Sequence, residues 1–372
     1  MEIPEFKLER FFAEYEFNVP YMICSADCEP FTVRELFEFR AGSADEFNNL
    51  SLGYTESAGK RSLRHEITNL YKTVYENDII VHAGAEEAIF TFMNSVLNAD
   101  DHIIVQYPTY QSLYQIADSM NCEVTRWKGE ESNEWDLDLN FLKNNINKLT
   151  KAVILNFPNN PTGSITCEKK FKQIIEICRK NDLLVFSDEV YRFLEYNEID
   201  RLPAACDIYE NAVSLGVMSK AFALPGLRIG WIASRNRDII SKISRLKDYT
   251  TICNSAPSEY LAELALKYKD KIIYRNLKIL GENLIALNSF MFKYSDIFSW
   301  SPPKGGITCF PRIKFHDKAD VFAKKLLKEK GLLIMPGGVL DYDNRHLRIG
   351  FGRSNFTDVL VLLEDFVRGH YL

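Results

Sequence analysis

Long apolar runs are missing from this chain: no stretch approaches 18 uninterrupted apolar residues, so no membrane-spanning helix is expected. A basic run is missing too, and the formal net charge is −6. Nucleic-acid surfaces need clustered Lys and Arg, so that class of partner is not expected. Residues Met1 to Arg10 are charged and lack the apolar core of a secretory signal, which makes a cytoplasmic protein the expectation. Eight cysteines are scattered, and only Cys24 and Cys28 lie close together. Without a second Cys or His pair at suitable spacing, they predict no zinc site. Several others sit in apolar runs as buried thiols, which fits a reducing compartment. The phosphate loop Gly-x4-Gly-Lys-Ser/Thr is absent, so the adjacent Asp188 and Glu189 find no support as magnesium ligands, and no metal is expected. Internal repeats and low-complexity segments are also absent.

What the chain does have is bulk and apolar residues. Its 372 residues, 46% of them hydrophobic, suffice for a sizeable core or two lobes. Short apolar runs recur at Ile79–Gly84, His102–Pro108, Ala152–Pro158, Leu183–Asp188 and Ala212–Val217. They are apolar on both faces and separated by helix-like stretches, the pattern of parallel strands covered by helices on both sides. Residues 60–235 therefore read as an open α/β sheet. Residues 5–17 predict an amphipathic helix, and residues 236–295 predict long helices. Beyond residue 300, strands are expected at 306–313, 332–335 and 346–351. These C-terminal elements and the N-terminal segment suggest a second, smaller α/β lobe.

Ligands of open parallel sheets bind beyond the carboxyl ends of the strands, and the polar oddities of this sequence fall there. Lys220 follows the last apolar run. A lysine amid apolar residues loses its proton readily and becomes a nucleophile toward carbonyls. Arg228 comes eight residues later, past a turn at Pro225 and Gly226. One lysine for an aldehyde and one arginine for a phosphate meet the needs of pyridoxal phosphate (PLP). The other strand ends carry Gly84-Ala85-Glu86, Tyr110, Asn156 to Gly163, and Asp188 with Tyr191. Small residues before a helix let backbone N–H groups approach an anion, although such loops are also ordinary. Tyr110 suits stacking on a flat ring or plain packing. Asp188 suits a protonated pyridine nitrogen or a helix cap.

Taken in order, the segments Tyr54 to Arg64, Gly84 to Ala88, Pro108 to Tyr110, Asn156 to Gly163, Asp188 to Tyr191, Lys220 to Arg228, and Arg348 resemble the class I/II aminotransferase family. These are fold-type I PLP-dependent enzymes, and the resemblance spans nearly the whole chain. It implies a large domain, residues 41–275, with a mostly parallel seven-stranded sheet between helices. Residues 1–40 and 276–372 would form a smaller α/β domain. It implies PLP as cofactor, an L-amino acid and a 2-oxo acid as substrates, and a homodimer with shared sites. Lys220 would form the Schiff base and carry the proton between substrate Cα and cofactor C4′. Asp188 would hold the pyridine nitrogen, Tyr191 and Asn160 the phenolic oxygen, and Tyr110 the ring face. Gly84, the N–H groups of Ala85 and Glu86, Ser219 and Arg228 would hold the phosphate, joined by Tyr54 from the neighbouring subunit. Arg348 would bind the substrate α-carboxylate as a bidentate pair.

Two positions depart from the family pattern. Val217 stands where relatives often carry a hydroxyl, leaving Ser219 to supply one. Glu86 stands where relatives often carry Gln, Ser or Thr, so its side chain is expected to point away from the phosphate. The N-terminal segment 19–29, which lines the substrate pocket in relatives, carries Ser25, Asp27 and Glu29. It is similar to that of capreomycidine synthase-like members of the family. A carboxylate at Asp27 or Glu29 could read a basic or amino-bearing side chain, or simply be solvated. The reaction expected is amino-group transfer; loss or replacement of a β or γ substituent, as in a lyase or cyclase, is the alternative.

Overall fold

The computed structural model describes residues 2–371. Seven strands form the central sheet: β1 (Ile79–His82), β2 (His102–Tyr107), β3 (Glu123–Lys128), β4 (Thr150–Asn156), β5 (Leu184–Asp188), β6 (Ala212–Val217) and β7 (Gly230–Ala233). Their order is β1-β7-β6-β5-β4-β2-β3. Every pair is parallel except those of β7, which runs antiparallel to both β1 and β6. The five apolar runs are strands, and β6 has the expected bounds. The other four differ by up to two residues at an end, where Pro108, Pro158 and the turn at Gly84 lie outside the ladders.

No apolar run marked β3 or β7. β3 is an edge strand with one neighbour, and of its six residues only Trp127 is buried. It needs no apolar residues on a second face. β7 is four residues long and continues the turn after Lys220 without a break in composition.

Period-two alternation sends neighbouring side chains to opposite faces of the sheet. Ile103, Val105, Ala152 and Ile154 join the core under Phe92 and Met93 of helix Ala85–Val96. Ile104, Val153, Leu155 and Val185 join a second core with Phe171 and Ile174 of helix Glu168–Lys180. Each fully buried aliphatic side chain contributes about 1.5–3 kcal/mol relative to exposure. That is why these strands carry apolar residues on both faces. No described helix is long and apolar enough to cross a membrane.

The C-terminal third contributes helices Arg237–Lys247, Ala256–Lys267 and Lys269–Lys293, in the region expected to be helical. The later strands are shorter than the apolar runs that suggested them: Thr308–Cys309 and Met335–Pro336 flank Leu347–Gly350, both antiparallel to it. The N-terminal helix spans Lys7–Tyr15, inside the expected 5–17. After it, Tyr21–Met22 pairs in parallel with Leu332–Leu333.

The N-terminal segment then lies against the C-terminal strand. Gly350 N–H donates to Ile23 O at 2.8 Å, and Glu29 N–H donates to Gly352 O at 2.9 Å. A Cβ on Gly350 would lie 1.6 Å from Ser25 O, and one on Gly352 would lie 2.3 Å from Asp27 O. Backbone cannot yield locally to such overlaps, so both positions require glycine for the close approach. Gly350→Ala is expected to destabilise the protein by about 1–3 kcal/mol. Urea unfolding measures this, with an unchanged midpoint as the contrary result.

Candidate active site

A cavity of about 500 Å³ opens at the carboxyl edge of the central sheet. Parallel strands deliver the residues after them to one edge. β2 leads to Tyr110, β4 to Asn160, β5 to Tyr191, and β6 to Ser219 and Lys220, and all of these side chains line the cavity. Ala85 and Glu86 enter at the start of the helix after β1. The remaining walls come from the N-terminal helix, from Ser25 to Asp27, and from Arg348.

One end of the cavity is built for an anion. Gly84 has φ +89°, and a Cβ there would lie 2.4 Å from Arg228 Nη2. A Cβ on Gly230 would lie 2.7 Å from the Gly84 carbonyl carbon and 2.9 Å from Ala85 N. These two glycines let the guanidinium of Arg228 press against the N-terminus of a 12-residue helix. Free N–H groups and the helix dipole favour negative charge at that point. Ser219 is 6% exposed, and its hydroxyl has no partner. Val217 lines the cavity without a hydroxyl.

Glu86 also lines this end, where its carboxylate accepts from Ser112 Oγ at 2.9 Å. The carboxylate is thus held toward Ser112, while the residue remains part of the cavity lining. Burial pushes its carboxyl up to about 7, and Glu9 adds to the rise. Near neutral pH the acid is therefore partly protonated, which is how it is tolerated beside an anion site.

Asp188 is buried at the end of β5 and accepts from Val190 N–H at 3.2 Å. Burial pushes its carboxyl up to about 7, and that bond and the Lys220 amine oppose the rise. A cationic group facing it would reverse the shift. Glu189 lies on the other side of the backbone, accepting from Ala205 N–H at 2.9 Å and Ser214 Oγ at 2.7 Å. The two neighbouring carboxylates do not converge. Asn156, at the start of its strand-end motif, has a part that sequence reasoning missed. Its side chain accepts from Asn160 N–H at 2.7 Å and donates to Asp188 O at 3.2 Å, tying the ends of β4 and β5 together. An amide closing an otherwise apolar buried strand was the available signal.

Lys220 Nζ donates to Ala26 O at 2.8 Å, and Tyr191 OH donates to the same oxygen at 3.3 Å. Burial lowers the lysine pKa; Asp27 opposes this and Arg348 reinforces it. Arg348 is 0% exposed. Its Nη2 donates to Cys24 O at 2.9 Å and its Nη1 to Asn160 Oδ1 at 3.4 Å, while Nε has no partner. A buried guanidinium without a carboxylate partner is costly unless an anion joins it. Tyr110 lines the cavity with its hydroxyl donating to Glu9 at 3.3 Å.

Three expected residues stand apart from this group. Asp27 lines the cavity but is paired with Arg353 at 2.7 Å. Glu29 does not line it: its carboxylate accepts from Ser354 N–H and Oγ, both at 3.0 Å, which corrects its expected place in the pocket. Tyr54 is 94% exposed and outside the cavity of its own chain. Sequence reasoning also passed over Leu8, Glu9, Phe12 and Glu16, which form part of the wall from the N-terminal side.

A carboxyl whose folded pKa is raised binds more protons folded than unfolded, between the unfolded value of 3.8 and about 7. Stability contributed by this group is thus present below pH 4 and lost as pH rises through 7. Asp188→Asn removes the titration. At pH 8 the cofactor-free variant is expected to melt about 2 °C or more above the parent, a gap that closes toward pH 5. Scanning calorimetry at both pH values decides it; a lower melting point at pH 8 contradicts the buried-acid account.

A family model for aminotransferase class I and II matches residues 40–361. Capreomycidine synthase from Streptomyces vinaceus is 25% identical over 351 residues, covering 94% of this chain and 90% of that protein. Aspartate aminotransferase from Bacillus subtilis is 27% identical over 335 residues, covering 85% and 84%. Among solved structures, a PLP-dependent aminotransferase from Streptococcus suis superposes with a TM-score of 0.93 at 31% identity, over 99% of both chains. The PLP-dependent cyclase OrfR superposes with a TM-score of 0.92 at 25% identity, over 99% of this chain and 98% of that one. The strand-end cavity and these likenesses agree: the chain belongs to the class I and II aminotransferase family, with the fold-type I architecture and PLP dependence of its members.

Proposed function

We propose that this aminotransferase moves the amino group of an L-amino acid to a 2-oxo acid in the strand-end cavity, with Lys220 as the working amine. The observation that carries the reading is the convergence of Lys220, buried Asp188 and the guanidinium of Arg348, buried without a carboxylate partner among the described residues, on one cavity. PLP fits the residues present. Arg228, the free Ser219 hydroxyl and the N–H groups of Ala85 and Glu86, against Gly84, would hold its phosphate. Asp188 would face its pyridine nitrogen, Tyr191 and Asn160 its phenolic oxygen, and Tyr110 its ring. Bound there, PLP supplies an electron sink for the charge left when Cα loses a proton.

The chain's own side chains do the rest. Arg348 orients the substrate by gripping its α-carboxylate through two N–H donors. Burial keeps the Lys220 amine poised to lose its proton, so it can take the Cα proton and return it at the cofactor C4′. Asn156 and the Ala26 carbonyl hold Asn160, Tyr191 and Lys220 in register.

A second reading, elimination or cyclisation of an amino acid, is favoured by the likeness to capreomycidine synthase and to the OrfR cyclase. Mixing holoenzyme with single amino acids, without a 2-oxo acid, separates the two. Conversion of the cofactor to its amine form with release of a 2-oxo acid is expected; ammonia or a cyclised product, with the cofactor unchanged, supports the second reading. Lys220→Ala is expected to slow that conversion by about 10³-fold.

We further propose the two-domain division at residues 41–275 against 1–40 plus 276–372, a cytoplasmic location, and a homodimer with shared sites. Eight free cysteines fit the location. Leu52, Tyr54, Tyr249 and Ile252 are large, apolar or aromatic, and exposed, and the first two lie beside Cys253 to Pro257. Such exposure fits a surface covered by a second copy, whose phosphate Tyr54 would reach. Sedimentation is expected to give a dimer, and Tyr54→Phe to raise the cofactor dissociation constant about tenfold. A monomer with an unaltered constant contradicts both.

A further inference from the structure

The amphipathic N-terminal helix has a polar position on its cavity-facing side that the proposed chemistry does not use. Glu9, Phe12 and Glu16 are spaced i, i+3 and i+7, which places them on one face. All three line the cavity. Phe12 lies under Arg348, with the guanidinium carbon 5.7 Å from its ring centroid. Glu9 and Glu16 therefore flank the α-carboxylate anchor, each about one helical turn, or ~5 Å, to either side.

The balance of charge around the cavity is one-sided. Its basic residues are Lys220, Arg228 and Arg348, and each already has a role, toward the cofactor carbonyl, the phosphate and the α-carboxylate respectively. No further cation among the described residues lines the cavity to receive a second carboxylate on a substrate side chain. Among the acids, Asp188 faces the ring nitrogen, Glu86 is held by Ser112, and Asp27 is paired with Arg353. Glu9 accepts from Tyr110 OH at 3.3 Å, and neither Glu9 nor Glu16 has an ion-pair partner among the described residues. Burial raises the Glu16 carboxyl pKa, the charges of Asp27 and Glu9 raise it further, and Arg353 and Lys220 oppose the rise. These acids therefore feel one another across the same space. Fully buried Arg348, the proposed anchor for the α-carboxylate, would set a substrate's side chain against this face.

We infer that the Glu9–Phe12–Glu16 face selects an amino acid with a positively charged side chain, an amine or a guanidine, and rejects dicarboxylic substrates. The inference rests on the reading of Lys220 and Arg348 given above and adds the side-chain class. A cation placed between Glu9 and Glu16 would gain two attractions in a partly desolvated wall, and an acidic side chain would be repelled by both. Phe12 between them offers its ring to the alkyl stem or, by cation–π contact, to the charge.

The test uses holoenzyme and follows the cofactor absorbance on titration with matched amino acids. Arginine is compared with neutral citrulline, lysine with neutral norleucine, and glutamate is included. Arginine or lysine is expected to half-saturate the response at a concentration about tenfold or more below its neutral match, with glutamate weakest. Glu16→Gln and Glu9→Gln are each expected to cut that ratio about threefold or more, and Glu16→Asp to keep more of it than Glu16→Gln. Melting curves and the cofactor band of each variant establish that it is folded and loaded, and the parent panel alone suffices if a variant is not. Equal or tighter response to citrulline, norleucine or glutamate overturns the inference and leaves the active-site reading standing. A cofactor band that responds to no amino acid overturns both.

Discussion

A parallel strand hands the residues after it to the same edge of the sheet as its neighbours, and β2, β4, β5 and β6 all do so here. That shared direction brings Tyr110, Asn160, Tyr191 and Lys220 together although as many as 110 positions separate them in the chain. Antiparallel pairing would send alternate loops to opposite ends. The single reversed strand, β7, serves a different purpose. Running back between β1 and β6, it carries Gly230 past Gly84, and the missing side chains there allow Arg228 to reach the helix N-terminus.

The second organising constraint is electrostatic. Asp188, Lys220 and Arg348 are ionisable groups set among apolar neighbours, and each has its charged form disfavoured by burial. In the isolated chain they are not neutralised by one another; Lys220 and Arg348 donate to the carbonyls of Ala26 and Cys24 instead. Folding thus holds in place groups that a bound ligand would satisfy, at a cost in stability carried by the two hydrophobic cores. The N-terminal segment supplies both carbonyls, so its contact with Gly350 and Gly352 is part of the site as much as of the fold.

Much of this is legible in the chain itself. Runs with apolar residues on both faces announce five of seven strands, because burial on both sides favours apolar residues at successive positions. The edge strand at Glu123–Lys128 escapes because solvent on one side relaxes that demand. Lys220, Asp188, Asn160 and Arg348 stand out as polar residues in apolar settings, at strand ends or, for Arg348, within a strand. Glu29 misleads for the opposite reason. A carboxylate two residues from Asp27 looks equivalent on paper, yet its partner, Ser354, comes from the far end of the chain. Glu9 and Glu16 give no signal, since acids on an amphipathic helix are usually solvated.

What the sequence determined by itself were matters of pattern: an α/β sheet, the order of its strand-end motifs, and a lysine and arginines poised for a phosphorylated carbonyl cofactor. Those come from local periodicity and from the cost of burying charge, both of which are written in neighbouring residues. Tertiary structure alone decided which helix face closes the cavity, which carboxylates remain unpaired, and which glycines permit the N-terminal segment to cross the C-terminal strand. Each depends on contacts between residues hundreds of positions apart, where spacing along the chain holds no information about distance in space.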